Sequence, residues 1–199
     1  MLTEDQKEAL QEIANIGMGQ AGASIAQVLD QFVVLSIPHI LILQPKAMAA
    51  ALIKTVGLGQ VSAVRQAFHS EMRGEAIVIF GEQRCNDLAD LMGYGGEISR
   101  EIELELLLDV TNILVGACLG GIAEQLKCEI GFSAPSVMAD GVPVEALLRV
   151  QNVSWQNALL VEVNFSLEQR SFACHLVMLM AEEEIMSMGE ALDRFMEAY

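Results

Sequence analysis

The sequence predicts a mixed α/β (α+β) fold built twice from one order of elements. Three observations support this. Stretches of helical apolar periodicity at residues 4 to 29 and 101 to 127 each precede a series of short β-type runs. A shift of 97 residues superposes letters of the two halves without a gap: Asn15 on Asn112, Gly19 on Gly116, Ile25 on Ile122, Ala26 on Ala123, Leu29 on Leu126, Ser36 on Ser133, Pro38 on Pro135 and Arg73 on Arg170. A constant offset of this kind marks an internal duplication. Between the halves there is no Pro/Gly/Ser-rich linker, only the turn at Gly93-Tyr94-Gly95-Gly96. The expectation is therefore one domain over 1–199, made of two repeats (about 1–97 and 98–199) that share a sheet.

The first helix begins with a capping box, Thr3 with Gln6 three residues on, and Glu4 and Asp5 suit its first turn. Leu10, Ile13, Ala14, Ala21, Ile25 and Val28 continue it at helical spacing. FVVLSIPHILIL then reads as a strand pair or a bent strand, 46–56 as a short helix, 60–68 and 74–80 as strands, and 82–92 as a helix. In the second half Ser99 can cap a helix over 101–127, followed by strands at 128–137, 144–152, 156–166 and 170–180 and a helix over 182–197.

Composition narrows the function. The net charge of −16 opposes nucleic acid and anionic membrane surfaces, and favours a partner with a basic patch. No run reaches the roughly 18 continuous apolar residues of a membrane span, and MLTEDQKEAL is too acidic for a signal peptide. Cys85, Cys118, Cys128 and Cys174 lack metal-ligand spacing, as do His39, His69 and His175. The expectation is a cytoplasmic protein with no membrane, nucleic-acid or metal site of its own. An exposed sheet edge would allow a homodimer.

Gly17-Met18-Gly19-Gln20-Ala21-Gly22 matches the G-x-G-x-x-G pattern of dinucleotide-binding loops. That loop needs a strand before the glycines and a helix starting at them. Here they lie inside a capped helix, and the offset of 97 replaces Gly17 by Leu114 and Gly22 by Leu119. The nucleotide reading fails.

A different pattern is present in both copies. The first reads Glu8-x3-Glu12-x2-Asn15-x22-Pro38, and the second Glu105-x3-Asp109-x2-Asn112-x22-Pro135. Positions i, i+4 and i+7 share one helix stripe. Glu8, Glu12 and Asn15 therefore point one way, continued by Gly19 and Gly22, while Leu10, Ile13, Gly17 and Ala21 face a core. Mid-helix glycine costs about 0.5–1 kcal/mol against alanine. Close approach of a partner beside the acid–amide pair would offset that cost. In the second copy Gly116 is expected to keep the opening and Leu119 to narrow it.

This duplicated acid-x3-Glu-x2-Asn-x22-Pro motif, with NIGMGQA and NILVGACL as its helical context, resembles that of the CheC/CheX/FliY chemotaxis phosphatases, most of all CheC. The resemblance covers nearly the whole chain. It implies a pseudo-twofold fold with a continuous, largely antiparallel sheet and two long motif helices exposed on one side. It further implies hydrolysis of the aspartyl phosphate on a CheY-like receiver domain. Asn15 and Asn112 would position the water, Glu12 and Asp109 would anchor the receiver's lysine, and Glu8, Gly19, Gly22, Glu105 and Gly116 would border the partner. The chain would need no cofactor of its own, since Mg²⁺ belongs to the receiver. Glu8 and Glu105 stand where the family has Asp or Ser, and Asp109 is one methylene shorter than Glu. The first site therefore ranks above the second. The alternatives are a non-catalytic adaptor that binds a receiver or a CheD-like protein, and a flagellar-switch structural protein.

Overall fold

The computed structural model describes residues 2–30, 33–43, 45–57, 59–81, 89, 98–147, 158–167 and 173–197. Helix α1 (Glu4–Leu29) is followed by β1 (Val33–Leu35), β2 (His39–Leu43) and α2 (Pro45–Val56). A hairpin of β3 (Gln60–Ser70) and β4 (Gly74–Gly81) comes next. The second half opens with α3 (Arg100–Leu126), then β5 (Ile130–Phe132), β6 (Ser136–Pro143) and a single helical turn, α4 (Val144–Leu147). It continues with β7 (Ala158–Leu167), β8 (Ala173–Met180) and α5 (Glu182–Glu197).

The two long helices begin as their sequences dictate. Thr3 Oγ1 accepts from the Gln6 amide at 3.2 Å, and Gln6 Oε1 accepts from the Thr3 amide at 2.9 Å. Ser99 Oγ accepts from the Ile102 amide at 3.3 Å. Their ends also match. Asp30 and Lys127, which are 97 apart, close α1 and α3 in the left-handed region at φ 51° and 54°. In each case the cap amide bonds back to a carbonyl four residues earlier, Ala26 or Ala123.

Among the described residues all strand pairings are antiparallel, in the order β1-β7-β8-β4-β3-β5, with β2 also on β7 and β6 also on β3. The short strands after each long helix pair with the opposite half. Ile40 sits opposite Val161, and Val64 opposite Val137. That exchange interlocks the two halves in one sheet.

The pleat divides the apolar runs of the central strands between two cores. Ala76, Val78 and Phe80 of β4 and Cys174, Leu176, Met178 and Met180 of β8 face α1, α3 and α5. Ile77, Ile79, Val177 and Leu179 face the other way, against α2, α4 and residues of β3 and β6. Burial on both faces explains why AIVIF and LVMLM are continuously apolar instead of alternating.

The main departures from the sequence reading lie in the second half. The expected strand at 128–137 is two strands broken by residues 133–135. The expected strand at 144–152 begins as the helical turn α4, because Val144 and Leu147, three apart, both reach the second core. Its residues 148–152 lie outside the described residues. So does the expected helix at 82–92, apart from Ala89, which is helical and buried, and the Gly93–Gly96 turn.

Helix α3 is long and apolar enough by composition to cross a membrane, although Asp109, Thr111 and Asn112 interrupt its apolar run. In the fold 61% of its most apolar window is buried, against α1 and the sheet. The exposed residues of the helix are Arg100, Glu101, Glu105, Asp109, Asn112 and Glu124, so the motif acids and amide lie on its open side.

Candidate functional site

The stripe falls where the periodicity places it. Glu8, Glu12, Asn15 and Gly19 are exposed and Gly22 is half-buried, while Leu10 and Ile13 on the opposite side are fully buried and Ala21 is 1% exposed. Asn15 has no hydrogen-bond partner among the described residues, so its amide is free to meet another molecule. Nothing stands within 4 Å of where a Gly19 Cβ would lie. A Gly22 Cβ would meet Leu35 Cδ1 at 3.5 Å, an ordinary contact.

Gly17 has a different reason to be glycine. A Cβ there would stand 2.8 Å from the Ile122 backbone nitrogen and 2.9 Å from the Gly121 carbonyl carbon. A Cβ on Gly121 would in turn stand 2.7 Å from the Gly17 carbonyl oxygen. The motif helices cross backbone to backbone at this pair.

Beside Asn15 the surface opens into a groove of about 410 Å³ between α1 and the β1–β2 segment. Met18, Gly19 and Gly22 form one wall, and Leu35, Ile37 and Pro38 the other. Gln11 Nε2 donates to the Pro38 carbonyl at 2.8 Å, tying the break between β1 and β2 to α1. Pro38 is buried, whereas Ile37 is 76% exposed and Val34 46%. The amide therefore stands beside apolar surface that water covers poorly.

The second copy shares the layout and differs in its partners. Glu105, Asp109 and Asn112 are exposed, and Gly116 has open space where a Cβ would lie. Leu119 does not narrow this approach. It is 1% exposed and belongs to the core, because its place on α3 falls with Val115 and Ile122 on the buried side. Asn112 Oδ1 accepts from Gln66 Nε2 at 2.8 Å, and Gln66 Nε2 also donates to the Ser133 carbonyl at 2.8 Å. Gln66 is 1% exposed and its Oε1 has no partner among the described residues, a burial that costs about 1–3 kcal/mol. Near the start of α3, Arg100 bridges Glu103 and Asp140, fixing the helix to β6.

No protein-family model and no curated protein matches the sequence. Solved structures do. FliY from Thermotoga maritima is similar over 98% of this chain and 99% of that one, with a TM-score of 0.72 at 19% identity. The FliM middle domain from H. pylori is similar over 96% and 99%, with a TM-score of 0.63 at 12% identity. A chemotactic CheC-like protein from Shewanella oneidensis is similar over 83% and 95%, with a TM-score of 0.53 at 13% identity. The chain has the FliY/CheC fold.

Within that fold, the likeness to FliY extends over more of the chain than the likeness to the CheC-like protein. The FliY/CheC fold brings each acid and asparagine of a motif copy together on one helix face, as i and i+3 require. Three contributors were missed in the sequence: Gln11, Ile37 and Gln66. Gln66 left a trace there, because it is a polar letter at the inward phase of β3 between Val64 and Phe68. Among the described residues, no group of three or more His, Cys, Asp and Glu could hold a metal ion.

Proposed function

We propose that the chain is a phosphatase for the aspartyl phosphate of a CheY-like receiver domain, with the Glu12/Asn15 site as the more active of its two. The supporting observation is Asn15 itself, an exposed amide with no partner among the described residues, on a helix face cleared by Gly19 and beside an apolar groove.

The reaction asks little covalent chemistry of the chain. Water attacks phosphorus, the acyl P–O bond breaks, and the receiver's aspartate leaves as carboxylate with inorganic phosphate as the other product. An acyl phosphate is already activated, so water positioning and charge stabilisation suffice. The neutral amide of Asn15 can hold the water without repelling phosphoryl oxygens. The Glu12 carboxylate would pair with the receiver's lysine and set the register, and Glu8 and Gly22 would border the docked partner. Asp109, one methylene shorter than Glu12, reaches less far toward the same lysine in the second site. There Glu105 and Gly116 would play the bordering roles.

The test is loss of phosphate from a phosphorylated receiver with Mg²⁺, compared for wild type, Asn15→Ala, Asn112→Ala and the double variant. Asn15→Ala should slow turnover on the order of 100-fold, with an unchanged circular-dichroism spectrum. Equal losses from the two single variants would refute the ranking of the sites. If no receiver is dephosphorylated faster than it decays alone, the enzyme reading falls, and retained binding would make the chain an adaptor.

A further inference from the structure

Gln66 serves the second motif copy although it lies on neither motif helix. It projects from β3 on the face turned to the helices, between Val64 and Phe68. Its Nε2 bonds Asn112 Oδ1 and the Ser133 carbonyl, each at 2.8 Å. The chemistry of the partners fixes the orientation of both amides. A carbonyl only accepts, so Ser133 requires Nε2, and Asn112 must then answer Nε2 with its oxygen. The Nδ2 hydrogens of Asn112 are left for another molecule.

Glutamine is an expensive choice at this position. An unbranched apolar side chain of the same length would fill the site without burying an unpartnered oxygen. Nor does the strand need it. The Ser133 amide donates to the Ala67 carbonyl at 2.9 Å, and Ser133 Oγ accepts from the Ala67 amide at 3.0 Å. What Gln66 supplies uniquely is the hold on Asn112, and Asn15 has no counterpart of it among the described residues.

We infer that Gln66 is a positioning residue, locking the Asn112 amide with Nδ2 outward, where that amide would position the attacking water at the phosphoryl group of a docked receiver. The role in turnover rests on the phosphatase reading, whereas the lock itself does not. The lock is tested by nuclear magnetic resonance on the ¹⁵N-labelled full chain, with the side-chain amide of Asn112 assigned from Asn112→Ala. In the wild type that amide should be rigid and that of Asn15 mobile. Gln66→Met should make Asn112 as mobile as Asn15 while leaving the melting temperature equal or higher. An Asn112 amide that is unchanged by Gln66→Met overturns the lock. In an Asn15→Ala background, Gln66→Met should lower the remaining kcat roughly tenfold by loosening one reacting-site rotamer. In an Asn112→Ala background it should change nothing. Unchanged turnover in the first background overturns the positioning role. Absence of activity in every form, wild type included, defeats the phosphatase reading instead, and the resonance experiment still decides the lock.

Discussion

One added methyl group separates the glycines of GMGQAG. At Gly17 it would press on the backbone of Ile122 and Gly121, which cannot rotate away. Gly17→Ala is expected to destabilise the fold by about 1–3 kcal/mol, the usual range for overpacking, as read from the urea midpoint. At Gly19 the methyl would enter open space. Gly19→Ala should therefore stabilise by about 0.5–1 kcal/mol through helix propensity, yet slow receiver dephosphorylation by filling the ground beside Asn15. A Gly19→Ala variant that is both more stable and equally active would show that the clearing has no functional part. The letters alone could place Gly17 inward, since it shares a phase with Leu10, Ile13 and Ala21. They could not show that its neighbour is another glycine 104 positions away, Gly121.

Among the elements, α3 is central, with Leu106, Leu107, Leu114, Leu119 and Ile122 fully buried. Its start depends on one acceptor, Ser99 Oγ, and on the Arg100 bridge to Asp140. Ser99→Ala should lower the unfolding free energy by about 1 kcal/mol, and Ser99→Asp should restore it, since both Ser and Asp side chains cap well. Failure of Asp to rescue would mean that packing, not the cap, holds this end. Cap residues were readable because capping is local chemistry within four residues. The broken strand after α3 was not readable, because residues 133–135 are set by the bonds of Ser133 to β3, 66 residues earlier.

For the whole molecule, the helix-side core has a pH signature. Burial pushes the Cys118 thiol up from its ordinary 9.0 to about 12. A thiol that holds its proton more tightly when folded contributes stability that is fully present below pH 9 and lost as pH rises toward 12. Denaturation midpoints should therefore fall above pH 9, and Cys118→Ala should flatten that fall. An equally steep decline in the variant would place its origin in other groups. The sequence by itself determined the two motif helices, their caps and exposed stripes, and most of the strands, because periodicity and capping act between near neighbours. Only the tertiary structure decided that each half completes the other's sheet, that Leu119 belongs to the core, and that Gln66 grips Asn112 while Asn15, with no such partner among the described residues, lies beside a groove. Each of those depends on which distant backbone arrives at the same place, and such contacts leave no periodic trace along the chain.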